Sequence, residues 1–221
     1  VNPHVHAAPP DIRVILFDVG GVLVKLSGID MMLDWLGRTM TPEEMWHRWL
    51  ASETVRRFET GRIDGAAFAI GVTGEFGLPI PPERFLESFA DWPMELYPGT
   101  SDMLSRIPDS FRCAVLSNSN ALHWPRIVTD LNLAGLIDRH FVSHLTGRIK
   151  PDAEAFAHVV ESLECRPAEV LFFDDNQLNV DAAQAFGMRA VRVRGSGEAH
   201  RALIEFGIIA SGHSSQGHPP A

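Results

Sequence analysis

Residues 12–21, Ile-Arg-Val-Ile-Leu-Phe-Asp-Val-Gly-Gly, decide how this chain is read. Ile12–Phe17 is a short, β-branched, mostly apolar run that stops at Asp18-Val19-Gly20-Gly21. A strand with one wet face alternates apolar and polar residues. A nearly continuous apolar run is what a strand covered on both faces requires, as in a parallel sheet. Three similar runs lie much further along, at Cys113–Leu116, Val170–Phe173 and Ala190–Val193. Helix-like stretches precede them in turn, at Gly99–Arg106, Asp152–Cys165 and Val180–Phe186. Strands that alternate with helices predict an α/β fold with a doubly wound parallel sheet.

Between Ser27 and Tyr97 the pattern changes, and no strand is predicted. Thr41-Pro42-Glu43-Glu44 is a capping box with proline at the first helical position. Met45, Trp46, Trp49 and Leu50 follow at helical spacing, and Gly61 ends that stretch. Asp64–Phe76 and Pro82–Ala90 read as two further helices. The expected organisation is therefore a core built from residues 11–26 and 98–210, interrupted by an α-helical insertion over 27–97. Residues 1–10 and 211–221, rich in Pro, His, Gly and Ser, read as loose tails. Four of the five tryptophans, Trp35, Trp46, Trp49 and Trp92, fall in the insertion. Most are expected in its core, with one or two on a pocket.

The 221 residues can bury a sizeable core without disulfides, and 45% hydrophobic with 21% charged residues is ordinary for a globular protein. The net charge of −9 counts against nucleic acid and anionic membrane as partners, because both repel an acidic surface. Two cysteines, Cys113 and Cys165, argue against a disulfide framework and point to a reducing, cytoplasmic setting. No apolar run reaches membrane-spanning length, and Val1–Pro10 lacks the basic and apolar regions of a signal peptide.

Open α/β sheets bind ligands at the carboxyl ends of their strands. Asp18 follows the first predicted strand, Ser117 and Asn118 the second, and Asp174 and Asp175 the third. Lys150, followed by Pro151, stands just ahead of the helix that leads to the third. Singly, each has an ordinary explanation: a turn acid, a loop former, a helix cap or a surface charge. Their joint placement on one rim is the signal. Two or three carboxylates beside a backbone carbonyl suit Mg²⁺, which prefers oxygen ligands. A carboxylate held there can act as a nucleophile and accept a phosphoryl group. Lys150, the hydrogen bonds of Ser117 and Asn118, and the amides of the following helix would balance that group's charge.

Phe17-Asp18-Val19-Gly20-Gly21-Val22-Leu23, Leu116-Ser117-Asn118-Ser119-Asn120, Lys150-Pro151-Asp152 and Phe172-Phe173-Asp174-Asp175-Asn176 together resemble the four ordered motifs of the haloacid dehalogenase superfamily. The likeness is nearest to phosphatases related to the N-terminal domain of soluble epoxide hydrolase, a branch that includes bacterial sugar-phosphate phosphatases. It implies a Rossmann-like core with an inserted helical cap and a Mg²⁺-dependent phosphatase acting on a small phosphorylated metabolite, such as a sugar phosphate. It implies that Asp18 is the nucleophile, forming an aspartyl-phosphate, and also a metal ligand. Gly20 would lend its carbonyl to the metal, and Asp175 would bind it directly or through water. Ser117 and Asn118 would bind phosphate. Lys150 would steady nucleophile and phosphate, and Asp174 would support from behind, orienting Lys150.

One position departs from the pattern. Most phosphatases of this superfamily carry a second Asp two residues after the nucleophile, as general acid and base. Here it is Gly20. Three readings follow: substrates with good leaving groups, a substitute from the cap or water, or a weakly active protein. The chemical rival is a 2-haloacid dehalogenase, which also lacks the second Asp. A halide-displacing site works without Mg²⁺ and tends to be neutral at the fourth motif, so Asp174-Asp175 argues for the phosphatase. A rival of another class is a catalytically degenerate domain that binds a partner. His47, Arg56, Arg57 and Glu59 are candidate substrate contacts from the cap, His123 and Trp124 from behind the second motif. Gly195-Ser196-Gly197 reads as a flexible loop.

Overall fold

A computed structural model describes residues 12–210, and the expected tails at 1–10 and 211–221 lie outside them. The first apolar run forms β1 (Val14–Phe17), with all four residues buried. It sits at the centre of a five-stranded, all-parallel sheet. With β2 at Val24–Leu26 and β3 at Pro93–Leu96 forming a separate pair, the remaining strands are β4 (Arg112–Ser117), β5 (His140–Val142), β6 (Val170–Asp174) and β7 (Arg189–Arg192). The order across the large sheet is β5-β4-β1-β6-β7.

The unbroken hydrophobicity of β1 and β6 has a direct cause. Ile15, Phe17, Leu171 and Phe173 point to one face, where they meet Met103, Ala199 and Leu203. Val14, Leu16, Val170 and Phe172 point to the other, against Phe156, Val159, Val180 and Ala183. The helices that cover the first face are α6 (Thr100–Ser105) and α11 (Gly195–Glu205). Those that cover the second are α9 (Ala153–Ser162) and α10 (Gln177–Ala185). Two short helices, α7 (His123–Pro125) and α8 (Ser143–Thr146), complete the connections, α7 running on into a π-helical turn at Arg126–Asp130. After β5 the chain crosses to the far side of β1 to lay down β6. The carboxyl ends of β1 and β6 therefore flank the point where the winding reverses, which is where open sheets of this kind bind ligands.

Residues 28–90 form five helices: α1 (Gly28–Trp35), α2 (Pro42–Ala51), α3 (Glu53–Glu59), α4 (Gly65–Phe76) and α5 (Pro82–Ala90). They pack around their own apolar cluster, in which Phe58 and Phe68 stack at 4.1 Å and Trp49, Phe89 and Trp92 interlock. The Thr41 capping box forms as expected: Glu44 N–H donates to Thr41 Oγ1 at 3.2 Å, and Thr41 N–H donates to Glu44 Oε2 at 2.7 Å.

Four details differ from the sequence reading. Ser52 divides the expected single helix in two; its extended backbone ends α2, and its hydroxyl accepts from Val55 N–H to start α3. Pro93–Leu96 is a strand, paired antiparallel with Val24–Leu26 where no strand was predicted. His140–Val142 adds a fifth strand at the sheet edge. Gly195-Ser196-Gly197 is not a loose loop but the first turn of α11. Gly195 N–H donates to Gly21 O at 2.7 Å, and Ser196 Oγ donates to Pro98 O at 2.8 Å. Among the described residues, no helix is long and apolar enough to cross a membrane.

Candidate active site

Asp18 leaves the end of β1 with its N–H bonded to Phe173 O at 2.7 Å, which ties it to β6. Its carboxylate accepts from Lys150 Nζ at 2.7 Å. The same ammonium donates to Asp174 Oδ2, also at 2.7 Å. Lys150 is only 3% exposed. Its main chain is held by Asn118, whose Nδ2 donates to Lys150 O and whose Oδ1 accepts from Lys150 N–H, both at 2.9 Å. Asn118 thus reaches the cleft, but its side-chain amide is engaged in fixing the lysine. The Lys150–Pro151 peptide bond is cis.

Asp174 is fully buried and saturated. Besides Lys150, it accepts from Asn176 N–H at 2.8 Å and from Asn179 Nδ2 at 3.1 and 3.0 Å. Asp175 is half-buried, and Arg192 Nε donates to its main-chain oxygen at 2.9 Å. Gly21, with φ of +76°, lies so close that a Cβ there would stand 2.3 Å from Asp175 Oδ2. No other residue fits both that backbone and that space. Ser117 closes β4 and is buried just before Asn118.

The electrostatics follow from three carboxylates facing one lysine. Burial pushes the Asp18 carboxyl up to about 8; Lys150 pulls it down, while Asp174 and Asp175 push it further up. Burial, then Asp174, pushes Asp175 up to about 6, against Lys150 and Arg192. Burial alone would lower Lys150, but Asp174 and Asp18 outweigh it and hold the ammonium up at about 12. Oxygen atoms of Asp18, Asp174 and Asp175 lie within 4.8 Å of one another. Negative charge is in excess, and every donor is oxygen. That set fits a hard divalent cation such as Mg²⁺. Because Asp174 already accepts four hydrogen bonds, Asp18 and Asp175 are the carboxylates with lone pairs to offer.

The site opens into a cavity of about 790 Å³ bordered by Asp18, Gly20, Asn118, Lys150 and Asp175 on the sheet side. Trp46, His47, Trp49 and Glu59 border it from the helical block. Trp46 and Trp49 are thus the pocket tryptophans. Of the other candidates, Arg56 pairs with Asp152 across to the core and lines an adjoining cavity of about 290 Å³, whereas Arg57 is exposed. His123 does not reach the rim. It is buried against the helical block, stacked on Phe89 at 4.1 Å and bonded to Phe89 O, and burial lowers it to about 4. Trp124 packs into the core beneath the sheet. Arg192 and Arg194, at the end of β7, also border the cleft and were missed. The strand-end rule finds them once it is applied to the fourth apolar run.

The comparisons with known proteins bear on the family and the fold. A family model described as haloacid dehalogenase-like hydrolase matches residues 12–187. A sesquiterpene phosphatase of Aspergillus oryzae is 29% identical over 182 residues, covering 80% of this chain and 87% of the relative. An (S)-2-haloacid dehalogenase of Xanthobacter autotrophicus is 28% identical over 210 residues, covering 90% and 82%. A Bacteroides thetaiotaomicron enzyme of the same superfamily, solved in complex with magnesium and inorganic phosphate, superposes with a TM-score of 0.66 at 21% identity. That match covers 83% of this chain and 94% of that one.

Proposed function

This chain belongs to the haloacid dehalogenase-like hydrolases, and we propose that within them it is a Mg²⁺-dependent phosphatase acting on a small phosphorylated metabolite. One observation carries the reading: Asp18, Asp174 and Asp175 bring oxygen atoms within 4.8 Å of one another, and the one buried lysine among them pairs with Asp18 and Asp174. A halide-displacing site gains nothing from that surplus of negative charge, which costs free energy unless a cation balances it. A phosphoryl-transfer site uses the cation.

In this reading, Asp18 Oδ attacks phosphorus in line, forming an aspartyl-phosphate as the bond to the leaving oxygen breaks. Water then attacks the same phosphorus, releasing inorganic phosphate and restoring the Asp18 carboxylate. Lys150 holds Asp18 in line and faces the phosphoryl oxygens; Asp174 and Asn118 fix the lysine from its two ends. Asp18, Asp175 and the Gly20 carbonyl would hold Mg²⁺, which when bound neutralises charge on the phosphoryl oxygens. Residues 27–97 act as the cap that closes the cleft over substrate and excludes water until hydrolysis.

The test is hydrolysis of a panel of phosphomonoesters, from sugar phosphates to phosphates of apolar alcohols, with Mg²⁺ and with EDTA. Activity should need Mg²⁺ and fall to background in Asp18→Asn. Undiminished activity in that variant, or chloride release from a 2-haloacid in EDTA, would overturn the reading.

A further inference from the structure

Gly20 offers no side chain to exchange a proton with the leaving group, and its nearest neighbour is the flexible tip of the exposed Leu26. A Cβ on Gly20 would stand 2.7 Å from Leu26 Cδ1. A carboxyl borders the same cleft from the helical block. Glu59, the last residue of α3, lines both the 790 Å³ cavity with Asp18 and Lys150 and the adjoining 290 Å³ cavity with Asn118 and Lys150. The nearby cations are engaged elsewhere, Lys150 by Asp18 and Asp174 and Arg56 by Asp152, so Glu59 is not consumed as a structural counter-ion. The geometry of in-line transfer makes its side of the cleft the useful one. Asp18 attacks from the sheet, so the leaving oxygen departs away from it, and the later water arrives along the same path.

We propose that Glu59 is the proton-transfer residue of this site, taking the part that Gly20 cannot. The proposal rests on the phosphatase reading. As the bond from phosphorus to the leaving oxygen breaks and the bond to Asp18 forms, the Glu59 carboxyl gives its proton to the leaving alkoxide. The resulting carboxylate then takes a proton from water as the water oxygen bonds to phosphorus and the Asp18 bond breaks. The cycle ends with Glu59 protonated and Asp18 ionised.

The surroundings suit both halves of that cycle. Burial pushes the Glu59 carboxyl up to about 7, while Lys150 and the Trp49 indole pull it down. An acid poised there can donate and accept near neutrality. The smaller cavity sets His47, Arg56 and Lys150 around it, and the larger adds Glu43, Asp18, Asp175, Arg192 and Arg194. A pH effect must therefore be assigned by its loss in the variant.

The experiment compares full-length wild type with Glu59→Gln in Mg²⁺, on alkyl phosphates and on nitrophenyl phosphate, whose leaving group needs no proton. On alkyl phosphates, kcat/KM should fall roughly 10²–10⁴-fold, and on nitrophenyl phosphate about 10-fold or less. Wild-type kcat/KM on alkyl phosphates should decline as pH rises through about 7, and that limb should vanish in the variant. With nitrophenyl phosphate the variant should release a burst of nitrophenol and accumulate phosphorylated enzyme, seen by intact mass. Glu59→Ala rescued by added formate supports the assignment independently of how well Glu59→Gln folds. An equal loss on every leaving group without trapped phosphoenzyme, no loss at all, or no rescue would overturn it. A wild type that hydrolyses no phosphomonoester would instead overturn the phosphatase reading, and the Glu59 assignment with it.

Discussion

Replacing Lys150 with methionine keeps an aliphatic stem and deletes one charge. In the native site that ammonium is 3% exposed and holds Asp18 and Asp174 at 2.7 Å each. Without it, Asp18 and Asp174 lose the cation that pairs with both, and Arg192 near Asp175 is the positive charge that remains beside the cluster. Removing one partner from a buried pair costs about 3–5 kcal/mol. At about 2–4 °C per kcal/mol for a chain of this size, Lys150→Met should melt roughly 6–20 °C below wild type in EDTA. The loss has a determined sign in pH. Asp18 and Asp175 already sit at about 8 and about 6 in the folded protein, above the ordinary 3.8. Losing Lys150 removes an influence that lowers both. An acid raised by folding destabilises the native state at pH above its ordinary value, so the deficit is full at mildly alkaline pH. It shrinks as pH falls through about 8 and then about 6, because folded Asp18 and Asp175 are then protonated in wild type and variant alike. Added Mg²⁺ should narrow the gap by supplying positive charge to the same oxygens. Thermal unfolding followed by circular dichroism across that range checks the argument. A variant melting within about 2 °C of wild type at mildly alkaline pH in EDTA would refute it.

Other expectations follow from the same geometry. Gly21→Ala puts a Cβ 2.3 Å from Asp175 Oδ2 at a φ of +76°; it should cost about 1–2 kcal/mol for the left-handed backbone alone and weaken Mg²⁺ binding by calorimetry, and undiminished affinity would count against the metal site. Asn179→Ala deletes two hydrogen bonds to the buried Asp174 carboxylate; urea unfolding should register a loss of about 1.5–3 kcal/mol, and a change below about 0.5 would mean the amide does not hold that acid. Metal-free wild type should lose stability as pH rises from about 6.5 to about 8, because folded Asp18, raised to about 8, keeps a proton that the unfolded chain has already lost. Below 6.5, His123, lowered to about 4, contributes with the opposite sign. Mg²⁺ should flatten the upper part of the curve, and a rise in EDTA over that interval would contradict the assignment.

The parallel core was legible because burial on both faces leaves an unmistakable run: Val14-Ile15-Leu16-Phe17 and Val170-Leu171-Phe172-Phe173 have no polar residue to hide. The candidate site residues Asp18, Ser117, Asn118, Asp174 and Asp175 were legible for a related reason, since they stand at the ends of their strands; Lys150 was legible from its place ahead of the helix that leads to β6. Pro93–Leu96 was not, because a short pair needs no β-branched residues and begins on proline where only one edge is bonded. Ser52 was hidden by its neighbours: Met45, Trp49, Val55 and Phe58 keep one apolar stripe across the break. Gly195 looked like a loop residue because its partner, the Gly21 carbonyl, lies far away in sequence. Glu59 could be named but not placed, since its position over the cleft depends on how α3 packs.

The pairing of β2 with β3 has a consequence of its own. Tyr97 N–H donates to Leu23 O at 2.8 Å, and Ser27 N–H donates to Trp92 O at 3.1 Å. The chain therefore departs from the sheet and returns to it at one doorway, already stitched shut by main-chain bonds. Whatever is threaded between 27 and 92 hangs from a loop whose closure is settled at its base, and the entropic penalty of a longer loop grows only slowly with length. That doorway is a graft point, where helices of another length or shape can be exchanged while Asp18 and Asp175 keep their places.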